Sequence, residues 1–237
     1  RVKGLPEPES LLLDVNFKKC QTTASDLALF LNTLNPSLDK ESIGRLAPGE
    51  TVFFNGSLSG NPEKFVALGH LSTTSMGNVH LEFLCDNTID ESMGLRGNIL
   101  VDKLDLGGIL CMPDMGELSC DASLDGVLGK ATSFDIDSMK IASFNFNGYD
   151  YKDIIVDGLL TDNKFDGSIS CADPNLDFSF KGLANFSQDS NNVARYKFNL
   201  NVRNINLHAL NFDKREISSF ALRSNADIVV SADGNIR

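Results

Sequence analysis

The chain has no tryptophan, and only three tyrosines and three histidines among 237 residues. A carbohydrate-active enzyme would need a cleft with aromatic platforms beside a carboxylate pair, and tryptophan supplies none of those platforms here. His70, His80 and His208 show neither i, i+4 pairing nor a neighbouring ligand cluster, so no metal site is expected from them. Basic residues are scarce as well: 21 Lys and Arg against 32 Asp and Glu give a net charge of −11. Nucleic acid is therefore an unlikely partner, because phosphate binding needs concentrated cations. No apolar run reaches the length that crosses a bilayer as a helix, and no signal peptide is present.

Catalytic motifs are lacking too. "GSLSG" at 56–60 carries Leu58 where a nucleophile elbow requires serine. "DNTIDE" at 86–91 begins like a calcium loop but has neither its glycine nor its terminal ligand spacing. Carboxylates recur as Asp86, Asp90 and Glu91, as Asp135 and Asp137, and as Asp162 and Asp166. No pair is set apart by its neighbours, so they read as turns and solvated strand positions. No glycine-rich phosphate loop precedes a helix. The sequence points to no enzyme and no cofactor. Five cysteines, at 20, 85, 111, 120 and 171, cannot all pair within the chain. Cys85, Cys120 and Cys171 fall in apolar phases, as small hydrophobes do. A bridge between Cys111 and Cys120, across the "PDMG" turn, stays open.

What the sequence does have is sixteen phenylalanines, nineteen glycines and a persistent alternation of apolar with polar residues. Alternation marks strands with one apolar face. "LLLDVNF" gives Leu11, Leu13, Val15 and Phe17; "VHLEFLC" gives Val79, Leu81, Phe83 and Cys85. "LSCDASL" gives Leu118, Cys120, Ala122 and Leu124; "FDGSISC" gives Phe165, Ile169 and Cys171, with Gly167 in phase. "LDFSFKG" gives Leu176, Phe178 and Phe180, and "YKFNLNVRN" gives Tyr196, Phe198, Leu200 and Val202. Roughly fifteen strands follow, joined by short turns such as "TDNK" at 161–164, "ADPN" at 172–175 and "PDMG" at 113–116. Glycine recurs inside these runs, at 56, 97, 126, 148, 158, 167 and 182. Glycine weakens a strand, so its repetition predicts bulges, bends or close backbone approaches, and a sheet curved across its strands. The spacing is too irregular for a solenoid of fixed period.

One stretch departs from alternation. "TTASDLALFLNTLNPSL" at 22–38 places Leu27, Phe30, Leu31 and Leu34 at helical spacing, with Thr23 or Ser25 as cap and Pro36 as stop. One short helix is expected near 24–34. "NPEKF" at 61–65 is expected to form a helical turn capped by Asn61, and "SQDSNN" at 187–192 an exposed loop.

The order of phrases from Ser143 to Ser187 resembles the repeat region of TamB-type proteins, in the AsmA-like group of bridge-like lipid transfer proteins. The residues that carry the likeness are Phe146-Asn147-Gly148, Tyr151, Ile154, Val156-Asp157-Gly158, Phe165-Asp166-Gly167, Asp173-Pro174-Asn175-Leu176 and Phe180-Lys181-Gly182-Leu183. "ASDLALFL" followed by "FNGSLSG" resembles the same family. The resemblance implies a long U-shaped sheet with a lengthwise apolar groove, in the periplasm of a Gram-negative envelope. It also implies phospholipid movement towards the outer membrane and support of outer-membrane protein assembly. Such proteins carry an inner-membrane helix and a domain that engages an outer-membrane partner. Neither is seen in this chain, which begins without methionine and reads as one continuous β-repeat segment, 1–237, of a longer protein.

Taken together, the expectation is an elongated, curved, all-β sheet, antiparallel or mixed, that lays phospholipid acyl chains along a non-catalytic groove. The expected lining is Val79, Leu81, Phe83, Phe144, Phe146, Phe165, Ile169, Leu176, Phe178, Phe180, Tyr196, Phe198, Leu200 and Val202. The rival reading is a structural or adhesive all-β envelope protein whose apolar faces pack into a dry core.

Overall fold

The computed structural model describes residues 2–3, 11–23, 25–26, 50–75, 77–89, 92–110, 112–129, 132–161, 164–185 and 194–230. These form one open sheet of thirteen strands in strict sequence order. The strands are β1 (Val2–Lys3), β2 (Leu12–Thr23), β3 (Thr51–Gly60), β4 (Lys64–Thr73), β5 (Asn78–Asp86), β6 (Ser92–Asp105) and β7 (Met115–Gly129). They continue as β8 (Ser133–Phe146), β9 (Tyr149–Thr161), β10 (Lys164–Asp173), β11 (Leu176–Asn185), β12 (Ala194–Asn206) and β13 (Ser219–Val230). Every neighbouring pair is antiparallel, which removes the mixed alternative. At about 4.8 Å per strand, the thirteen strands extend the sheet roughly 58 Å across.

A meander of this kind needs only tight turns. At the β3–β4 turn the Asn61 side-chain oxygen accepts the amides of Glu63 and Lys64, at 3.1 and 2.7 Å. Asn61 thus caps as expected, but the chain bends straight into β4 instead of forming a helical turn. Pro174-Asn175 turns β10 into β11, with the Asn175 amide donating to Asp173 at 2.8 Å. The Asp162-Asn163 turn and the 187–192 loop lie outside the described residues.

The expected helix near 24–34 is described only at its start. Ser25 and Asp26 are helical, and Thr23 Oγ1 both accepts the Asp26 amide at 3.1 Å and donates to its carboxylate at 2.9 Å. The stripe of Leu27, Phe30, Leu31 and Leu34 lies outside the described residues. A helix absent from the sequence reading, α1 (Leu106–Leu110), joins β6 to β7 and packs on β7. Its two glycines disfavour a helix intrinsically, so tertiary context selects it. Asp105 accepts the Gly108 amide at 3.0 Å, and Gly107 lies so close that a Cβ there would sit 2.0 Å from the Met115 carbonyl.

Bends are built in at specific places. Register shifts interrupt β2–β3 at Phe17/Cys20, β6–β7 at Val101/Leu104 and β12–β13 at Val202/Ile205. Lys19 and Lys103 take positive φ at the first two, 55° and 49°. An extra residue in one strand increases local twist and bends it, while the apolar side chains beyond it stay on the same face.

Candidate functional site

In an antiparallel sheet, residues directly opposite each other share a face. The pairings therefore assemble rows of side chains that run across the sheet. One row passes from Gly69 through Leu81, Ile99, Ala122, Met139 and Val156. It goes on through Ile169, Phe180 and Leu200. A second passes through Leu71, Val79, Val101, Cys120, Ile141 and Ile154, then Cys171, Phe178 and Val202. A third holds Ala67, Phe83, Gly97, Leu124 and Ile136, then Gly158, Gly167, Gly182 and Phe198.

The remaining expected lining residues fall on the same face. Phe165 stands opposite Leu160 on one side and Ala184 on the other. Phe144 faces Leu118 and Tyr151, Phe146 faces Met115 and Tyr149, and Leu176 faces Asp173 and Ile205. Tyr196 faces Ile228 on β13. All fourteen positions thus share one face, whose rows are apolar for strand after strand. Phe165 and Val202 are buried, and the other twelve are half-buried.

The glycine repeat is explained at the third row. Gly158, Gly167 and Gly182 are directly opposite one another on β9, β10 and β11. A Cβ on Gly167 would lie 2.2 Å from the Asp157 carbonyl and 2.7 Å from Gly158 Cα. Only three glycines let the three backbones approach so closely. The space they vacate is roofed by phenyl rings: Phe165 and Phe180 lie 6.5 Å apart by ring centroid, and Phe180 and Phe198 5.5 Å apart. Aromatic rings over strand glycines restore apolar contact that the missing side chains forfeit.

Val101, Cys120, Ala122, Ile136 and Cys171 are buried, although the described residues contain no second sheet. Burial raises the pKa of the Cys85, Cys120 and Cys171 thiols, which suits unreactive packing groups. Cys20, Cys85, Cys120 and Cys171 are free thiols, and Cys111 lies outside the described residues.

Polar groups intrude at one end of the face. Asp173 is 2% exposed and accepts the Tyr149 hydroxyl at 2.5 Å, with Asn175 Nδ2 3.1 Å from that hydroxyl. Desolvation, then the bond to Asp173, raises the Tyr149 pKa. Above this end the 207–218 connection folds back over the β8–β9 turn. Asn211 Nδ2 donates to the Asn147 carbonyl at 2.9 Å, and Asn147 Nδ2 returns a bond to the Asn211 carbonyl at 3.0 Å. Leu210 is 1% exposed beneath it, and the Phe212 ring lies 6.3 Å from Phe146. Nothing in the sequence signals this strap, because "HALNFDKREIS" has neither the helical nor the strand period.

The opposite face is mixed: it carries ion pairs, but also exposed Phe53, Leu68, Leu84, Leu100, Ile155 and Leu159. Arg96 bonds Asp125 at 2.7 Å, Lys64 pairs with Asp86 at 2.8 Å, and Arg203 pairs with Asp177. The bond from Lys64, then those from Thr88, hold the Asp86 carboxyl down at about 2. His70 and His80 stack on this outer face with ring centroids 4.0 Å apart. Among the described residues no group of three or more His, Cys, Asp or Glu is arranged to hold a metal ion. No helix among them is long and apolar enough to cross a membrane. A depression on the outer face around Ser179, Lys181, Asn199, Asn201, Arg223 and Asn225 encloses about 230 Å³ and is open to solvent.

Comparison with known proteins returned no matching family model, no matching curated protein and no matching solved structure.

Proposed function

We propose that the apolar face is a trough for the acyl chains of phospholipid, and that the protein is a non-catalytic conduit segment of a cell envelope. The observation that carries this reading is the continuity of the rows. From β3 to β12 the inner positions are aliphatic, aromatic, methionine, glycine or cysteine, except Thr73 at the end of β4 and Asp173 at the strapped end. Each methylene moved out of water is worth about 0.8 kcal/mol, so such a surface offsets much of the cost of drawing a chain from a bilayer. Because successive strands present similar residues, that energy changes little along the trough, which favours sliding over trapping. Acidic residues outnumber basic ones, 32 to 21, which disfavours clamping of anionic head groups, so selectivity among phospholipids is weak. The likeness of the 143–187 phrases to TamB-type repeats supports the same reading and adds the periplasm as location and an outer-membrane assembly partner.

The rival, a dry structural sheet, draws on the fully buried inner residues Ala122 and Cys171, each 1% exposed. The two readings separate in native mass spectrometry of gently purified protein. A conduit retains phospholipids of mixed head group, released by detergent. A preparation that is folded and free of lipid favours the dry sheet.

A further inference from the structure

The outer face of β11, β12 and β13 is built from residues that a plain strand surface avoids. Strands favour β-branched and aromatic residues and are depleted in asparagine. Here Asn199 stands directly opposite Asn225, and Asn201 lies between Ser179 and Arg223. Lys181 stands opposite Asn199 from the other side. These six residues surround the depression of about 230 Å³. The local charge is opposite in sign to that of the chain. Described outer positions of the three strands carry Lys181, Lys197, Arg203 and Arg223 against Asp177 and Asp227, in a chain of net charge −11. Asp177 is held by Arg203, and Asp227 faces Lys197. Lys181 and Arg223 are the two cations left over, and neither has a carboxylate partner among the described residues. Arg223 Nε donates to Asn201 Oδ1 at 3.4 Å, which draws the guanidinium over β12, the strand that separates it from Lys181. Asp166 on β10 stands opposite Leu183 and lines no part of the depression.

We propose that this depression binds the phosphate group of a small, soluble phosphate ester. Such a group carries close to two negative charges and three acceptor oxygens. Lys181 and Arg223 match the charge, and Ser179, Asn199, Asn201 and Asn225 offer neutral donors between them. The volume is about seven times the ~30 Å³ share of one liquid water, which is room for a phosphate and a short polar ester arm. A nucleic acid or another long polyanion would run off the patch onto a surface of net negative charge, so a single phosphate group fits and a chain of them does not. The inference goes beyond the trough: the sheet itself separates phospholipid on the inner face from Lys181 and Arg223. It needs only the face of three paired strands, not a free edge.

Isothermal titration of the whole chain with glycerol 3-phosphate tests this, with inorganic phosphate as the minimal probe and glycerol as the neutral one. The expected result is saturable binding of one equivalent of either phosphate and none of glycerol. Affinity falls about tenfold or more in Lys181→Gln and in Arg223→Gln, since each loses a charge-assisted bond. Lys140→Gln removes a cation from the outer face of β8, away from the depression, and leaves binding unchanged. Circular dichroism on the same samples shows that each variant is folded. Phosphatidylglycerol vesicles present the same chemistry on a lipid surface, and the chain is expected not to sediment with them. Lipid retained on the inner face, read by native mass spectrometry, is expected to be the same in the wild type and both variants, so failure of the trough reading shows separately. Absence of saturable phosphate binding by the folded chain, equal weakening in Lys140→Gln, or vesicle binding that Lys181→Gln abolishes overturns the proposal.

Discussion

Replacing Gly167 by alanine tests the close approach at the centre of the glycine row. The added Cβ would stand 2.2 Å from the Asp157 carbonyl, 2.7 Å from Gly158 Cα and 2.8 Å from the Phe165 ring. Two of these neighbours are backbone, which cannot swing aside like a side-chain tip, so β9 and β10 must part by about 1 Å. Overpacking of this kind costs about 1–3 kcal/mol, and rigid neighbours place it in the upper half. Alanine also lowers unfolded-chain entropy, which returns about 0.4–1 kcal/mol. The net loss is about 1–2.5 kcal/mol, a fall of about 3–8 °C in Tm for a chain of this size. Gly148 supplies the contrast. A Cβ there meets only Asn211 Nδ2 at 3.4 Å, and the constraint is its φ of 73°. Asparagine tolerates that conformation, so Gly148→Asn is mild while Gly167→Asn is not. Thermal melts followed by far-UV circular dichroism read both. If Gly167→Ala melts at or above the wild-type temperature, the three backbones are not in close contact and the explanation of the glycine row is wrong.

Three further expectations follow from the same geometry. Phe178→Asp puts a carboxylate between Cys171 and Val202 and lowers stability by about 2–5 kcal/mol, while Ser179→Asp on the outer face changes it by less than about 0.5; equal denaturation midpoints contradict the face assignment. The Asp86 carboxyl is depressed from 3.8 to about 2, so its contribution to the folded state is complete above the ordinary value and disappears as pH falls through about 2. Asp86→Asn therefore flattens the acid limb of amide protection in the β4–β5 hairpin, and an unaltered limb removes Lys64 and Thr88 as the cause. Under native conditions a thiol reagent modifies half-buried Cys20 ahead of buried Cys85, Cys120 and Cys171, as peptide mass spectrometry resolves; equal rates mean that the inner rows are not packed.

The face was legible because alternation is a local signal. Leu176, Phe178 and Phe180 are two apart, and no pairing partner is needed to place them together. The glycines were legible as bends but not as a row, since which glycine faces which depends on register, a property of two strands. The bulge positions had no signal: Lys19 and Lys103 hold positive φ although lysine has no preference for it, so the pairing on either side imposes it. α1 ran against propensity, through "LGGIL", and could only emerge from packing on β7. The strap was hidden for a similar reason. Buried Leu210 sits beside Asn211, whose bonds to Asn147 span 64 residues of sequence. Asp173 was visible as a turn residue, and its burial against Tyr149 was not.

The central claim is that the inner face holds acyl chains, and site-specific photo-crosslinking in cells tests it most directly. A photoreactive residue replaces Phe146, Phe180 or Phe198 on the inner face in turn, and Lys181 on the outer face serves as the comparison. Trough occupancy predicts phospholipid adducts at the three inner positions and none at Lys181. Folded protein without adducts at Phe146, Phe180 and Phe198, or with equal labelling at Lys181, contradicts it.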